Sequence, residues 1–227
     1  MNVLVVDIGG LSVKLALTGT NAPRSFPTPP HMSPQQLLQG ITATCADWRF
    51  DRVAIGFPGP VRDNRPQREP VNLGTGWVEF DYPAAFGCPV RMINDAAMQA
   101  LGSYRGGHML FLGLGTGLGT ALIHEGHIVA MELAHLPFHD GLTFEQALGK
   151  AGLDRAGLAA WKTRVLEAIA LFRYVLNPDY VVLGGGNVWK FTDAELPAGV
   201  LRGDNSNAFT GGFRLWDPDA APAPGGP

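Results

Sequence analysis

Two stretches of this chain repeat one pattern: an apolar run, a glycine turn and a second apolar run. In the first, Asn2-Val3-Leu4-Val5-Val6-Asp7 enters Ile8-Gly9-Gly10, and Val13, Leu15 and Leu17 then alternate with Lys14, Ala16 and Thr18. A near-continuous apolar run marks a strand covered on both faces, and period-two alternation marks the strand that pairs with it. In the second, Met109-Leu110-Phe111-Leu112 and Leu118 to Ile123 flank Gly115-Thr116-Gly117. Both are expected to be hairpins whose tips carry bare backbone N–H groups, which phosphate oxygens can approach because glycine has no side chain. Asp7 before the first tip suits a metal ion, and Lys14 after it suits a phosphate; Thr116 at the second tip can hydrogen-bond one. A plain turn explains either set of glycines nearly as well. A dinucleotide fingerprint is rejected: Gly115 to Gly119 is one residue short of it and continues into a strand where the motif needs a helix.

Between the hairpins, the apolar run Val90 to Ile93 enters Asn94-Asp95 and a small-residue helix with Ala96, Ala97 and Ala100. A carboxylate there stands at the C-terminal end of a buried strand, the sheet edge where ligands bind in open α/β folds. Asp95 is expected to take a proton from a substrate hydroxyl; the competing reading is a helix N-cap. Val53 to Phe57 reads as another buried strand, and Pro58-Gly59-Pro60 forces it to open into a loop at the same edge. In Asn72-Leu73-Gly74-Thr75-Gly76-Trp77, an Asn beside a Trp suits a sugar, with a packed Trp in an ordinary turn as the equal alternative.

Glu132 and His135, three apart, can share one face of a turn and hold a pair of vicinal hydroxyls. His139 and Asp140 are the spare candidates for a metal site there, too few for zinc. Ser33-Pro34 reads as a helix start with Leu37, Ile41, Cys45 and Trp48 as its apolar stripe, and residues 22–32, with four prolines, as a loop. Leu158, Trp161, Val165, Ile169, Phe172 and Leu176 line a long helix ended by Asn177-Pro178. Tyr180 to Leu183 is a buried strand opening at Gly184-Gly185-Gly186, where backbone can approach a flat ligand such as a nucleobase; a tight strand-to-helix turn is the alternative. Phe209, Phe213 and Trp216 are expected to dock an aromatic edge on the body, and the Ala/Pro/Gly tail 218–227 to be disordered.

Bulk numbers exclude several classes. With 227 residues, 46% hydrophobic and 16% charged, the chain can bury a core in one large or two small domains. A net charge of -3 implies no general attraction to nucleic acid. No stretch reaches the roughly 20 apolar residues that cross a membrane, and the opening residues do not read as a signal peptide. Cys45 and Cys88 have no metal-ligand spacing and read as buried thiols of a reducing cytoplasm.

Taken in order, the glycine hairpin, Pro-Gly loop, Asn-Asp pair, second glycine hairpin, Glu-x-x-His and triple glycine resemble the ROK family of sugar kinases. The likeness covers about residues 2–187 and is greatest to the short glucokinases and polyphosphate-glucokinase-like members. It implies an α/β, two-lobed actin-like ATPase (RNase H-like) fold, with an N-terminal lobe over 1–96 and a C-terminal lobe over 97–217. It implies Asp95 as catalytic base, with Asn72, Asn94, Glu132, His135 and Glu145 around the sugar. Gly9, Gly10, Ser12, Lys14, Gly115, Thr116 and Gly117 would hold donor phosphates, Gly184, Gly185 and Gly186 the adenosine, and Asp7 would orient Mg²⁺. ATP or polyphosphate is the implied donor, a hexose the acceptor, and a cytoplasmic homodimer the implied assembly, with no nucleic-acid or membrane partner.

Three departures from the family pattern stand out. Leu11 occupies the place of a Thr in the first phosphate motif, with Ser12 beside it as a substitute hydroxyl. Ala134 replaces the Gly of Glu-x-Gly-His. The cysteine cluster that binds zinc in many members is missing, so no zinc is expected. No helix-turn-helix extension like that of the family's repressors is expected. The expected activity is phosphorylation of glucose or a similar hexose at its 6-hydroxyl. A silent sugar-binding protein on the same fold is the rival that Leu11 favours, and an actin-like protein acting on a carboxylate or as a chaperone is a second.

Overall fold

The structure is a computed structural model whose described residues are 1–20, 22–204 and 206–217. The expected disordered tail at 218–227 lies outside them. The first sheet comprises β1 (Val3–Ile8), β2 (Ser12–Leu17), β3 (Arg24–Pro27), β4 (Arg52–Phe57) and, after the small hairpin β5 (Val61–Arg62) and β6 (Arg65–Pro66), β7 (Val90–Asn94). Its order is β3-β2-β1-β4-β7, with the β1-β2 and β2-β3 pairs antiparallel and the β1-β4 and β4-β7 pairs parallel. The helices of this half are α1 (Pro34–Thr44), α2 (Tyr82–Phe86) and α3 (Asp95–Ser103).

The second sheet repeats the plan. Strands β8 (His108–Leu114), β9 (Leu118–His124) and β10 (His127–Met131) form an antiparallel meander; α4 (Phe144–Leu148), α5 (Lys150–Ala156) and α6 (Leu158–Leu176) follow, then β11 (Tyr180–Gly184), β12 (Val200–Arg202) and α7 (Asn207–Arg214). Its order, β10-β9-β8-β11-β12, has the same sequence of antiparallel and parallel neighbours.

Why these segments adopt these elements is largely a matter of which faces they bury. Along β1, Leu4, Val6 and Ile8 face the layer containing α1, with Leu37, Ile41 and Trp77. Val3 and Val5 face the opposite way, into a core shared with α3, α7 and the second sheet, where Ala96, Ala97, Ala100, Phe111, Ala121 and Ala208 meet. Burial on both faces is the reason the sequence of β1 shows no polar alternation. The outer face of the second sheet packs Leu110, Leu112 and Val181 against Phe144, Trp161, Val165 and Ile169.

Local signals explain the helix ends. Ser33 caps α1 through the Gln36 N–H, and Gln36 answers with a bond to the Ser33 N–H. Asn177, in the left-handed region at φ 46°, ends α6. The stripe assigned to α1 outruns it: the helix stops at Thr44, while Cys45 and Trp48 stay buried beyond it. The 22–32 segment is not all loop, since Arg24–Pro27 forms the edge strand β3. Pro27 is tolerated there because a proline at a sheet edge need not donate to the ladder; it sits opposite Ser12.

The aromatic C-terminal segment is helical, and it returns to the first sheet. The backbones of α3 and α7 cross so closely at Gly102 and Gly211 that a Cβ at Gly102 would overlap the Asn207 carbonyl, and one at Gly211 the Met98 carbonyl. A Cβ at Gly212 would strike Val5. Beyond the helix, the Trp216 indole donates to the Val53 carbonyl at 3.2 Å, and the Arg91 guanidinium lies over its ring at 4.5 Å. Gly211→Ala should therefore cost about 1–3 kcal/mol by overpacking. Thermal denaturation should show a fall of several degrees, whereas a neutral result would mean the two helices can separate without loss.

Candidate active site

The site gathers at the C-terminal ends of the parallel strands and at the tips of the two hairpins. A Cβ built on Gly10 would lie 3.8 Å from Thr116 Oγ1, so tips more than a hundred residues apart in sequence face one another. The second hairpin also rests on the start of α3, where a Cβ at Gly119 would come within 2.7 Å of the Ala96 methyl group. Gly56 in β4 lets the same turn of α3 lie close, since a Cβ there would stand 3.4 Å from Asp95 Cα.

At the head of α3 the two polar residues divide the work. Asn94 is the cap: its Oδ1 accepts the Ala97 N–H at 3.1 Å, and its Nδ2 donates to the Gly59 carbonyl at 3.2 Å. That second bond ties the Pro-Gly loop after β4 to the head of the helix. With capping done by its neighbour, Asp95 keeps one local bond, from the Ala96 N–H to its Oδ1 at 2.8 Å. Its residue retains some solvent contact although its surroundings are densely filled.

Asp95 is pushed up to about 7, first by loss of hydration and then by the charge of Asp7, with Glu132 adding to it and the Ala96 bond opposing. Asp7, at 5% exposure, is also raised above the usual carboxylate range by burial, although Lys14 across the hairpin, 3.9 Å away, pulls it down. Asp7 from β1 and Glu132 from the segment after β10 therefore both act on Asp95 at the β7–α3 junction. Lys14 is engaged with Asp7, so its ammonium is not free for a phosphate alone.

The segment bearing Glu132 and His135 is a single 3-10 turn, Leu133–His135. Both side chains are exposed, with His135 Nε2 3.8 Å from Glu132 Oε2. Ala134, in the family's Gly position, is buried without a positive φ. Thr120 fastens this turn to the second hairpin: its hydroxyl donates to the Met131 carbonyl at 2.7 Å and accepts the Leu133 N–H at 3.3 Å. His139 and Asp140 are taken up by Glu167 at 2.8 Å and Arg164 at 3.8 Å. Among the described residues no three His, Cys, Asp or Glu side chains are grouped to hold a metal ion, and Cys45 and Cys88 are free thiols.

Glu145, in the first turn of α4, lies beside the second tip, so that a Cβ on Gly117 would meet its Oε2 at 2.6 Å. The triple-glycine turn packs on the same hairpin: Gly185, at φ 80°, lies against the Leu114 carbonyl, and Asn187 Nδ2 donates to the Gly115 carbonyl at 3.1 Å. Ser12 accepts the Gly9 N–H through its carbonyl, while Leu11 projects from the tip at 84% exposure. Asn72 is exposed and makes no hydrogen bond among the described residues. Of the two readings of Trp77 the packed one holds, because its ring is fully buried against Phe57 and offers a sugar no face.

Glu69 was not apparent as a site residue. Its carboxylate accepts the Gly76 and Trp77 N–H groups, each at 3.1 Å, and the Val78 N–H at 3.4 Å, closing the loop that carries Asn72. Nothing in the spacing marks a carboxylate whose partners are backbone groups seven to nine residues on.

A family model described as "ROK family" matches residues 3–137, more than half of the chain. The bifunctional enzyme NanE/NanK of Brucella melitensis is 28% identical over 236 residues, covering 81% of this chain and 45% of its own length. The chain thus spans less than half of that relative. The N-acetylmannosamine kinase of Escherichia coli O6:H1 is 30% identical, covering 82% of this chain and 67% of its own length. Among solved structures, the inorganic polyphosphate/ATP-glucomannokinase of Arthrobacter sp. strain KM superposes with a TM-score of 0.79 at 22% identity, covering 93% of this chain and 96% of that one. The ROK glucokinase of Streptomyces griseus, solved with glucose and AMPPNP, gives 0.77 at 17% identity, covering 95% and 99%. These likenesses establish the two-lobed actin-like sugar-kinase fold.

A buried acid raised from 3.8 to about 7 binds more protons folded than unfolded between those values, so its contribution to stability falls as pH rises through that window. Asp95→Asn should therefore be more stable than the parent above pH 7, by on the order of a few kcal/mol. The gain should shrink towards pH 4. Melting curves at pH 4, 6 and 8 measure it, and equal stability at pH 8 would show an ordinarily hydrated Asp95.

Proposed function

The chain belongs to the ROK family, and from that premise we propose that it is a hexokinase-type phosphotransferase acting on glucose or a similar hexose. The observation that carries the reading is a raised Asp95 at the head of α3, against which the second hairpin rests, together with two glycine tips that face each other. A carboxyl near 7 is half ionised at neutral pH, where a general base is most useful. Asp95 accepts the proton of the sugar 6-hydroxyl as its oxygen attacks the terminal phosphorus of the donor. The bridging P–O bond breaks, and its electrons leave with ADP or with a polyphosphate shortened by one unit.

Asn94, Glu132 and His135 hold the sugar, with Asn72 and Glu145 reaching it as the lobes close. Closure excludes water that would otherwise consume the donor. The phosphates lie between Gly9-Gly10-Ser12 with Lys14 and Gly115-Thr116-Gly117, and the adenosine of a nucleotide donor on Gly184 to Gly186. The site fits a hydrated Mg²⁺ rather than a direct carboxylate cage: Asp7 and Glu132 both act on Asp95, so carboxylate charge gathers beside an anionic donor, with Lys14 3.9 Å from Asp7. Asp7 would hold the ion through water, as Mg²⁺ keeps part of its hydration shell. When bound, Mg²⁺ supplies neutralising charge to the phosphate oxygens. Free Cys45 and Cys88 accord with a reducing cytoplasm, and a homodimer remains part of the proposal by likeness to the family.

A silent sugar-binding protein is favoured by one feature, the apolar Leu11 exposed where a hydroxyl would face phosphate. A coupled assay with Mg²⁺ and either ATP or polyphosphate separates the two across glucose, mannose and N-acetylmannosamine. Product with any pair excludes the silent protein; binding without product excludes the kinase. Asp95→Ala should lower kcat by roughly 10²–10⁴ while hexose affinity changes little, and kcat/KM of the parent should fall tenfold per pH unit below about 7. Near-normal turnover of Asp95→Ala would remove the base assignment.

A further inference from the structure

We propose that Thr28, in the segment that follows β3, is a positioning residue for the first phosphate loop. The inference rests on the phosphotransferase reading of that loop and goes beyond it. At the tip, the Gly9 N–H donates to the Ser12 carbonyl at 3.1 Å, but the reciprocal bond that would close a two-residue turn, from the Ser12 N–H to the Gly9 carbonyl, is not among the bonds of the described residues. The Gly9 carbonyl instead accepts the Thr28 hydroxyl at 2.7 Å, and the Leu11 carbonyl accepts the Thr28 N–H at 3.1 Å. One residue of the neighbouring segment thus grips the loop on both sides of Gly10.

The consequence follows from the planarity of the peptide. In a trans peptide unit the carbonyl of one residue and the N–H of the next point in opposite directions. Fixing the Gly9 carbonyl on Thr28 therefore turns the Gly10 N–H away from Thr28. Among the described residues that N–H has no hydrogen-bond partner. It belongs to the residue of the first tip that faces Thr116 of the second. Leu11 brings no hydroxyl to this loop, so apart from the Ser12 side chain the orientation of backbone donors is what the tip offers an anion. Without the Thr28 hydroxyl, the Gly9 carbonyl is free to swing back to the Ser12 N–H, and the Gly10 N–H turns with it.

Thr28→Val removes the hydroxyl while keeping the branched shape and the backbone N–H; Thr28→Ser restores the hydroxyl. The full chain of each variant is titrated with Mg-AMPPNP, with medium-length polyphosphate and, separately, with glucose. Loss of one neutral hydrogen bond that orients a donor should weaken the phosphate compound bound by the parent about tenfold, with glucose affinity unchanged and the melting temperature within a few degrees. Thr28→Ser should recover most of the loss. Parental affinity in Thr28→Val overturns the proposal, and so does an equal loss for glucose and donor, which would make Thr28 a folding residue only. A parent that binds donor but transfers no phosphate defeats the kinase reading and leaves the binding comparison to decide for Thr28. A parent that binds neither phosphate compound overturns both.

Discussion

The backbone crossing of α3 and α7 is the contact on which the rest of the molecule depends. Each sheet by itself offers a hairpin tip and the end of a parallel strand, and neither half makes a site. The halves face each other because Gly102 and Gly211 let two helix backbones approach where any side chain would collide with a carbonyl. Only then does the second hairpin reach the head of α3, with Gly119 against Ala96, and only then does Thr116 stand opposite Gly10. The interior around this crossing is rich in alanine for the same reason. Ala96, Ala97, Ala100 and Ala208 fill the layer between sheets set close together, where larger side chains would separate the lobes and the site with them.

Within that frame the chemistry is governed by crowded negative charge. Asp7 and Glu132 come from segments distant from Asp95 and both raise the energy of its ionised form, which loss of hydration raises most of all. The N-terminal dipole of α3 works in the opposite sense at Asp95, as does its bond from Ala96. Burial and like charge prevail, and the result is a carboxyl that holds its proton loosely near neutrality. Arriving phosphates make the crowding worse, which is the physical reason a cation must accompany them. Lys14, already paired with Asp7 and partly exposed, offsets a single charge.

The strongly periodic parts of this arrangement were legible in the sequence. Both hairpins, the strand leading to Asn94 and Asp95, the turn joining Glu132 to His135 and the long helix α6 follow from apolar spacing and glycine punctuation. Ordered together, those motifs also resembled the family that the model match over residues 3–137 establishes. What escaped was set by partners remote in the chain. The edge strand β3 is hidden by its prolines and exists because β2 lends it a ladder. Trp77 looked available to a sugar, yet the neighbouring sheet supplies Phe57 to cover it. Glu69 carries no signal, since its partners are backbone N–H groups that only the folded loop brings round. The helical return of α7 onto β1 depends on Gly102 and Gly212, whose roles appear only when another backbone lies against them.

The repeated plan of the two sheets allows a comparison within the molecule. Strand β7 delivers Asp95 to the head of α3, and strand β12, its counterpart, delivers Asp204 just ahead of α7. The two acids share a residue type and a place in the fold, but their environments differ. Asp204 is exposed and held below the usual carboxylate range by bonds from Ser206, so it is a fixed anion that orders the entry to a helix. Asp95 gives its capping duty to Asn94 and lies in the layer between lobes beside Asp7, which drives it the other way. An acid that titrates near neutrality can accept a proton and release it again, whereas one held low only keeps its charge. Of the two equivalent strand ends, then, it is the one packed beside Asp7 and under the second hairpin that can do acid–base work, and the asymmetry arises from packing rather than from residue identity.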